Sequence, residues 1–148
     1  MDQTIPLSKS EYELLADFRY TLRRFLRFSE AAANKLGLTP QQHQALLAIK
    51  GYPGRERITI GELAERLQIR HHSAVGLVDR LEAEDLIKRS PEASDRRKVY
   101  ISLSAHGSAM IEQLSALHRE EMIRLLPQLR SLLKRLSTLP DGIKNSEG

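Results

Sequence analysis

The stretch "TIGELAERLQIRHHSAVGLVDRLE", Thr59 to Glu82, decides the fold. It begins as T-x-x-E, a capping box in which Thr59 and Glu62 satisfy otherwise unpaired amides at the start of a helix. Apolar residues then recur at helical spacing in two short segments, which are separated by a break at Gln68–Arg70. Two short amphipathic helices joined by a tight turn predict a helix-turn-helix.

A two-stranded hairpin is predicted directly after this motif. Leu86–Arg89 is predicted as a short strand, and Val99–Leu103 alternates between apolar and polar residues as a partner strand would. The loop between them contains the consecutive cations Arg96, Arg97 and Lys98. A solvated turn with incidental charge is one interpretation of this run. Its position after a helix-turn-helix favours the wing of a winged helix, which can reach the minor groove or the phosphates of duplex DNA.

Long amphipathic helices are predicted on both sides, over residues 8–36 and 105–139, with an interruption at Pro127. The first of them is longer than a small domain usually needs, which indicates oligomerisation. The predicted fold is mainly α, one domain over residues 1–148, with a winged helix-turn-helix lobe over 38–104 and a two-stranded wing. The following apolar residues are candidates for the subunit interface, and burial within one chain is the equal alternative for each: Leu14, Phe18, Leu125, Leu129, Leu132 and Leu136.

Composition excludes several classes of protein. The chain has 148 residues, 41% hydrophobic and 28% charged, which is typical of a globular domain. It contains no cysteine, so disulfides, thiolate metal sites and thiol redox switches are excluded. No segment has the layout of a signal peptide or the length of a membrane span, so a cytoplasmic protein without a membrane partner is expected. The net charge of +4 favours a polyanionic partner.

Leu38 to Gly107 resembles the MarR family of bacterial transcription regulators. The similarity is carried by "LTPQQHQALLAI", "ITIGELAERLQI" and "SAVGLVDRLEAEDLIKRSPEASDRRKVYISLSAHG", and most specifically by "DRRKVYISLSAHG". The resemblance implies a homodimer that binds pseudopalindromic duplex DNA, usually as a repressor released by a small ligand. It also implies that Arg97 enters the minor groove and that Asp95 braces it. The chain departs from the family pattern at Arg70, Gly76, Asp85 and Ser104.

Two groups of residues are predicted to contact DNA. His71, His72, Ser73 and Gly76 lie at the start of the second helix of the motif, off its apolar stripe, with Arg80 one turn beyond. A solvent-facing role, or for Arg80 a surface ion pair, is the alternative. The wing contributes Asp95, Arg96, Arg97 and Lys98. The resemblance further implies a cleft for a small aromatic or phenolic effector, for which the candidate lining residues are Phe18, Tyr20, Arg24 and His43.

Catalysis and metal binding find little support in the sequence. There is no Gly-rich phosphate loop and no G-x-S-x-G motif. The five histidines do not form an H-x3-H pair, so neither a metal site nor a cofactor is expected. The functional alternatives are a winged-helix module that binds protein instead of DNA, which the neutral Gly76 would suit, and an enzyme on a helical scaffold. The sequence predicts a DNA-binding regulator over both.

Overall fold

The computed structural model describes residues 5–92, 94–95 and 97–139. In these residues the chain forms five helices and three strands. In chain order they are α1 (Lys9–Lys35), α2 (Pro40–Lys50), β1 (Arg57–Thr59), α3 (Ile60–Leu67), α4 (His71–Ala83), β2 (Ile87–Pro91), β3 (Val99–Leu103) and α5 (Ala105–Ser137). The predicted mainly α, winged-helix fold is confirmed. The described helices include none that is long and apolar enough to cross a membrane.

The chain divides into two compact units. One is Ser29–His118, here called the winged-helix unit, and the other, the flanking-helix unit, comprises residues 1–28 and 119–148, of which 5–28 and 119–139 are described. Both long helices, α1 and α5, contribute residues to both units. The prediction of a single domain stays a prediction.

The core of the winged-helix unit is aliphatic. Ile58 and Ile101 pair across two strands and are fully buried, and Leu46, Leu77 and Ile111 bring α2, α4 and α5 onto the same cluster. Burying side chains of this kind contributes roughly 1.5–3 kcal/mol each. This core fixes α3, α4 and the sheet as one body, so side chains on its surface have defined positions.

Side-chain caps define where the helices begin. The Thr39 hydroxyl accepts from the amide of Gln42 (3.1 Å), and the Gln42 side chain accepts from the amide of Thr39 (3.0 Å). Ser8 and Glu11 exchange the same two bonds before α1, at 3.3 and 2.6 Å. These capping boxes were visible in the sequence, and they place both helix starts within one residue of the predicted positions.

The sheet differs from the prediction. It has three strands in the order β1-β3-β2, because Arg57–Thr59 pairs antiparallel with β3 as well. A strand of three residues carries no measurable periodicity, and only its pairing with a distant strand defines it. The second strand also runs further than predicted, to Pro91, where a missing amide donor is tolerated on an edge strand.

The predicted interruption of the last helix at Pro127 is wrong. Helix α5 continues through it from Ala105 to Ser137. Proline removes one hydrogen bond, to the carbonyl of Ile123 four residues earlier. Both Ile123 and Pro127 are exposed, so water can bind the released carbonyl and the helix need not end.

Candidate nucleic-acid interface

Helix α3 begins with all of its capping bonds made. The Thr59 hydroxyl accepts from the amide of Glu62 (3.1 Å), and the Glu62 carboxylate accepts from the amide of Thr59 (3.0 Å). The same carboxylate pairs with Arg55. Burial raises the pKa of Glu62, but the hydrogen bonds from Arg55, Tyr52 and Thr59 outweigh it and lower that pKa to about 2. The capping hydrogen bonds at the start of α3 are therefore all made by residues of the same chain.

Helix α4 begins without such a cap. The turn from α3 passes through Gln68, whose φ of 54° is left-handed, and α4 follows Arg70, which makes no side-chain capping bond. An arginine side chain cannot accept a hydrogen bond from an amide. His71, His72 and Ser73 are all exposed on this first turn. First-turn amides without an acceptor, together with the helix dipole, favour a bound anion such as phosphate.

Gly76 and Arg80 share one patch of the α4 surface. A Cβ atom placed on Gly76 would lie 3.6 Å from Nη1 of Arg80, so the guanidinium folds back over the glycine. Arg80 is exposed, and no acidic side chain among the described residues lies within ion-pair distance of it. The predicted alternative of a surface ion pair for Arg80 is therefore absent from the described part of the chain.

The acids beside Arg80, Asp79 and Glu82, pair with Arg89, which was predicted as the last residue of the first hairpin strand. Arg89 on β2 pairs with Asp79 and also with Glu82, where its Nε lies 3.3 Å from a carboxylate oxygen. That Nε is buried and makes no hydrogen bond, so the carboxylate charge is what compensates it. The residue ties the first wing strand to the outer face of α4. The only sequence signal for this contact was the position of Arg89, ten residues after Asp79 and seven after Glu82.

The tip of the wing is a hydrogen-bonded turn. The amide of Arg97 donates to the Asp95 carboxylate (2.9 Å), and the amide of Lys98 donates to the Asp95 carbonyl (3.1 Å). Asp95 therefore holds the backbone under Arg97, where the resemblance had implied a brace on its guanidinium. The side chains of Arg97 and Lys98 are exposed. Arg96, the fourth predicted wing residue, lies outside the described residues.

The base of the wing is locked to α5. The Ser104 hydroxyl donates to the carbonyl of Asp85 (2.5 Å) and accepts from the amide of Gly107 (2.9 Å). A Cβ atom on Gly107 would collide with the carbonyl of Leu86, so only glycine fits there. Asp85 has a left-handed φ of 57°, a conformation that glycine adopts most easily and that aspartate tolerates better than most other residues. Ser104 thus caps α5 and closes the turn after α4 with one hydroxyl.

The solvent face of the sheet carries two cations that were not among the predicted DNA-contacting residues. Arg57 and Lys88 lie opposite Ser102 on either side of β3. The guanidinium of Arg57 stacks over the ring of Tyr100, 4.4 Å from its centre. Arg57 and Lys88 are both exposed. Alternation along the strands puts these residues on the face opposite buried Ile58, Ile87 and Ile101.

The predicted effector residues are only partly brought together. Tyr20 and Arg24 line a pocket of about 430 Å³ in the flanking-helix unit, with Arg24 5.6 Å from the centre of the Tyr20 ring. Asp17 and Arg135 form an ion pair in the same lining (2.8 Å). Phe18 is exposed and is not part of the lining. His43 belongs to the winged-helix unit, where it is buried.

The described residues include no group of three or more acidic, histidine or cysteine side chains placed to hold a metal ion.

Comparison with known proteins agrees with this geometry. Residues 36–98 match the model of the MarR family. The HTH-type transcriptional repressor MdtR of Bacillus subtilis is 28% identical over 122 residues, which cover 80% of this chain and 77% of that protein. The HTH-type transcriptional repressor NicR of Pseudomonas putida is 26% identical over 113 residues, 74% of this chain and 70% of its own length.

Solved structures show the same fold. MepR of Staphylococcus aureus, a transcription regulator of the multidrug efflux pump MepA, superposes with a TM-score of 0.72 at 21% identity, covering 90% of this chain and all of the other. A point mutant of MepR bound to an oligodeoxyribonucleotide superposes with a TM-score of 0.66 at 22% identity, covering 91% of this chain and all of the other. The capped α3, the exposed start of α4 and the wing agree with the curated relatives in indicating a transcription regulator and not an enzyme, and over residues 36–98 the chain matches the MarR family.

Proposed function

We propose that this protein represses transcription as a homodimer bound to a pseudopalindromic site in duplex DNA, in the cytoplasm, and that a small ligand releases it. The observation that carries the proposal is the uncapped, exposed start of α4 in the same compact unit as the cationic wing tip. Two such units related by a two-fold axis would present their α4 helices about 34 Å apart, one turn of DNA.

Each surface has a distinct role in this proposal. His71, His72 and Ser73 meet base edges or phosphates in the major groove, and the lack of a side chain at Gly76 lets the helix approach closely. Arg80 lies along the same face and reaches a phosphate or a base. Arg97 enters the adjacent minor groove, where a narrow A·T-rich segment has enhanced negative potential.

Phosphate contacts would supply most of the affinity. Lys98 and Arg96 follow the backbone beside the minor groove, and Arg57 and Lys88 extend the cationic surface along the sheet. Each neutralised phosphate releases counterions, so binding should weaken steeply with salt.

Dimerisation would use the flanking-helix unit. Leu14, Leu125 and Leu132 are already buried within one chain, Leu129 is half-buried, and Phe18 and Leu136 are exposed. Larger apolar surface remains uncovered at Ile123 and Leu133, whose exposed fractions are 64% and 67%. Light scattering should report a dimer for the wild type. Ile123→Glu and Leu133→Glu should shift it towards monomer, and a monomeric wild type would contradict this part.

The pocket of the flanking-helix unit is the proposed effector site. The Tyr20 ring offers a stacking surface, and Arg24 and Arg135 offer guanidinium groups to a carboxylate, a combination that suits a small aromatic anion. Salicylate titrated by calorimetry is a suitable probe. Arg24→Gln should weaken its binding about tenfold or more, by the loss of a charge-assisted hydrogen bond. Equal affinity in both proteins would place the effector elsewhere.

The experiment that tests DNA binding begins with selection of bound sequences from a random duplex pool. A palindrome with half-sites one turn apart is expected. The selected duplex is then titrated with the wild type, Arg97→Ala and the control Arg130→Ala, whose exposed side chain is in the flanking-helix unit.

Arg97→Ala should bind at least about fivefold more weakly, with a salt slope lower by about one. The control should match the wild type. Failure of the wild type to select any duplex would favour a protein-binding module. Unchanged affinity of Arg97→Ala would remove Arg97 from the interface.

A further inference from the structure

Three polar side chains meet inside the winged-helix unit, away from the DNA surface. The imidazole rings of His43 and His118 lie with their centres 4.7 Å apart, and the side chains are only 3% and 9% exposed. The Ser29 hydroxyl oxygen lies 2.8 Å from Nε2 of His118 and 3.4 Å from Nδ1 of His43. Ser29 is on α1, His43 on α2 and His118 on α5, so the group joins three helices of the unit.

The direction of these hydrogen bonds follows from their chemistry. Nδ1 of His118 lies 2.7 Å from the carbonyl oxygen of Leu114, which can only accept, so Nδ1 carries a proton. In the neutral ring Nε2 then accepts from the Ser29 hydroxyl. Because a hydroxyl has one proton, Nδ1 of His43 must donate to the Ser29 oxygen. The neutral group is thus a directed chain from His43 through Ser29 to His118.

The chain can take up one proton without losing a bond. If Nε2 of His43 is protonated, Nδ1 of His43 still donates to Ser29, and the serine hydroxyl still donates to Nε2 of His118. A second proton would give two imidazolium rings at 4.7 Å, with donors on both sides of the serine. The geometry therefore admits one added proton and disfavours two.

The surroundings of the pair decide how readily that proton binds. Burial and, next, the charge of His118 lower the pKa of His43 below its ordinary value of 6.5. From α1 the pair meets the Ser29 hydroxyl, and from α5 the Leu114 carbonyl. On α2 the preceding residue, Gln42, donates from its side chain to the carboxylate of Glu84 (2.8 Å).

The bond between Gln42 and Glu84 connects the histidine pair to α4, the second helix of the helix-turn-helix and the one proposed to read the DNA. Glu84 is the C-cap residue of α4, and Gln42 also completes the cap of α2. A shift of the first turn of α2 when His43 becomes charged would therefore act on the end of α4 through two side chains. Coupling of this kind requires a contiguous set of contacts, and this one is short.

We propose that Ser29, His43 and His118 form a buried proton-binding site, through which acidification loosens the winged-helix unit and weakens its binding to DNA. The DNA part rests on the proposed function, and the stability part does not. Because the unfolded chain binds the proton more readily than the folded one, stability is full above pH 6.5. It is lost as the pH falls below that value.

The first test uses the full-length protein at constant ionic strength. The melting temperature is measured between pH 7.5 and 5.5 for the wild type, for His43→Asn, which retains a donor near Nδ1, and for Ser29→Ala. His106→Asn is the matched control, because His106 is an exposed histidine of the same unit. The wild type and the control should lose about 4 °C or more over this range.

His43→Asn should lose less than half as much, and Ser29→Ala should change the profile because the rings lose their link. In parallel, the ring protons of His43 are titrated by NMR in the wild type, which requires no variant to fold. The proposal is overturned if the profiles of wild type and His43→Asn superimpose. It is also overturned if His43 titrates at or above its ordinary value.

The second test compares DNA affinity at pH 7.5 and 5.8 for the wild type and His43→Asn. The two proteins share the same DNA-binding surface, so any effect of acidification on that surface is common to both. The ratio of their affinity changes therefore isolates the buried pair. The wild type should lose about fivefold more affinity than the variant.

Equal losses would overturn the coupling to DNA. Absence of DNA binding at pH 7.5 would overturn the proposed function instead, while the melting and NMR profiles still decide on the proton site.

Discussion

The two helices of the helix-turn-helix begin in opposite ways. Helix α3 starts from Thr59, and every bond of its capping box is made within the chain. Helix α4 starts from Arg70 with no side-chain cap, and its first turn is exposed. A side-chain cap contributes roughly 1 kcal/mol, so the bare start of α4 forgoes stability that α3 retains.

The difference teaches where stability and binding reside in this fold. Residues whose polar groups are satisfied internally, such as Thr59, Ser104 and Gly107, hold the body together. Residues left open, such as His71, Arg80 and Arg97, are available to a partner. Substitutions in the first set should change unfolding, and those in the second should change DNA affinity.

The largest effect is expected at the closed start of α5. Gly107→Ala forces a methyl group against the carbonyl of Leu86, so either the turn after α4 or the start of α5 must move. We expect a loss of about 3 kcal/mol in the free energy of unfolding, measured by urea denaturation. Gly61→Ala is the control, because the nearest atom to its new methyl is 3.9 Å away. A loss below about 1 kcal/mol for Gly107→Ala would show that the turn adapts.

The caps themselves come next. Thr59→Ala should lower the free energy of unfolding by about 1 kcal/mol, since two amide groups lose their acceptors or their geometry. Arg70→Ala removes no capping bond and should leave unfolding within about 0.5 kcal/mol of the wild type. It should instead weaken DNA binding, because a cation beside the open amides is lost. Similar losses in the free energy of unfolding of the two variants would contradict the proposed difference between the starts of α3 and α4.

Two helical glycines give a smaller and cleaner comparison. Gly61→Ala in α3 and Gly76→Ala in α4 should each stabilise the protein by up to about 1 kcal/mol, because alanine is the better helix former. Both new methyl groups meet at most ordinary contacts, at 3.9 and 3.6 Å. Only Gly76→Ala should reduce affinity for the selected duplex in a gel-shift titration. Equal affinities would mean that DNA does not approach the helix at Gly76.

The smallest effect is a pH dependence at the closed start of α3. The pKa of Glu62 is lowered to about 2 in the folded protein from 4.5, so its contribution is present above pH 4.5 and is lost as the pH falls towards 2. Glu62→Gln keeps an acceptor for the cap but does not titrate. Its chemical denaturation midpoint should fall less steeply than that of the wild type over this range. Parallel profiles would contradict the role given to the Arg55 pair.

Local signals predicted most of the fold. The capping boxes at Ser8, Thr39 and Thr59 gave the starts of α1, α2 and α3, and alternation gave the bounds of β3. These features depend on residues three or four apart, which a single sequence displays directly. The missed strand β1 depends on pairing with residues more than forty positions away, and the continuity at Pro127 depends on exposure.

The candidate site was predicted less completely for the same reason. The exposure of His71, His72 and Ser73 followed from helical periodicity. The sequence could not show that Arg89 turns away from the wing surface towards Asp79 and Glu82, or that the Asp95 carboxylate holds an amide. Nor could it show that His43 and His118, 75 positions apart, meet around Ser29. Side-chain direction depends on tertiary packing, which spacing does not record.

The clamp made by Arg89 has a consequence for the DNA sites that the protein would accept. One guanidinium holds two acids that lie almost one turn apart along α4, so the wing strand and the recognition helix keep a fixed angle and separation. A DNA-binding surface with this fixed geometry requires a fixed distance along the duplex between its two sets of contacts. Successive base pairs are about 3.4 Å apart, so one inserted between the major-groove and minor-groove contacts would misalign them. Operator spacing would then be recognised as strictly as operator sequence.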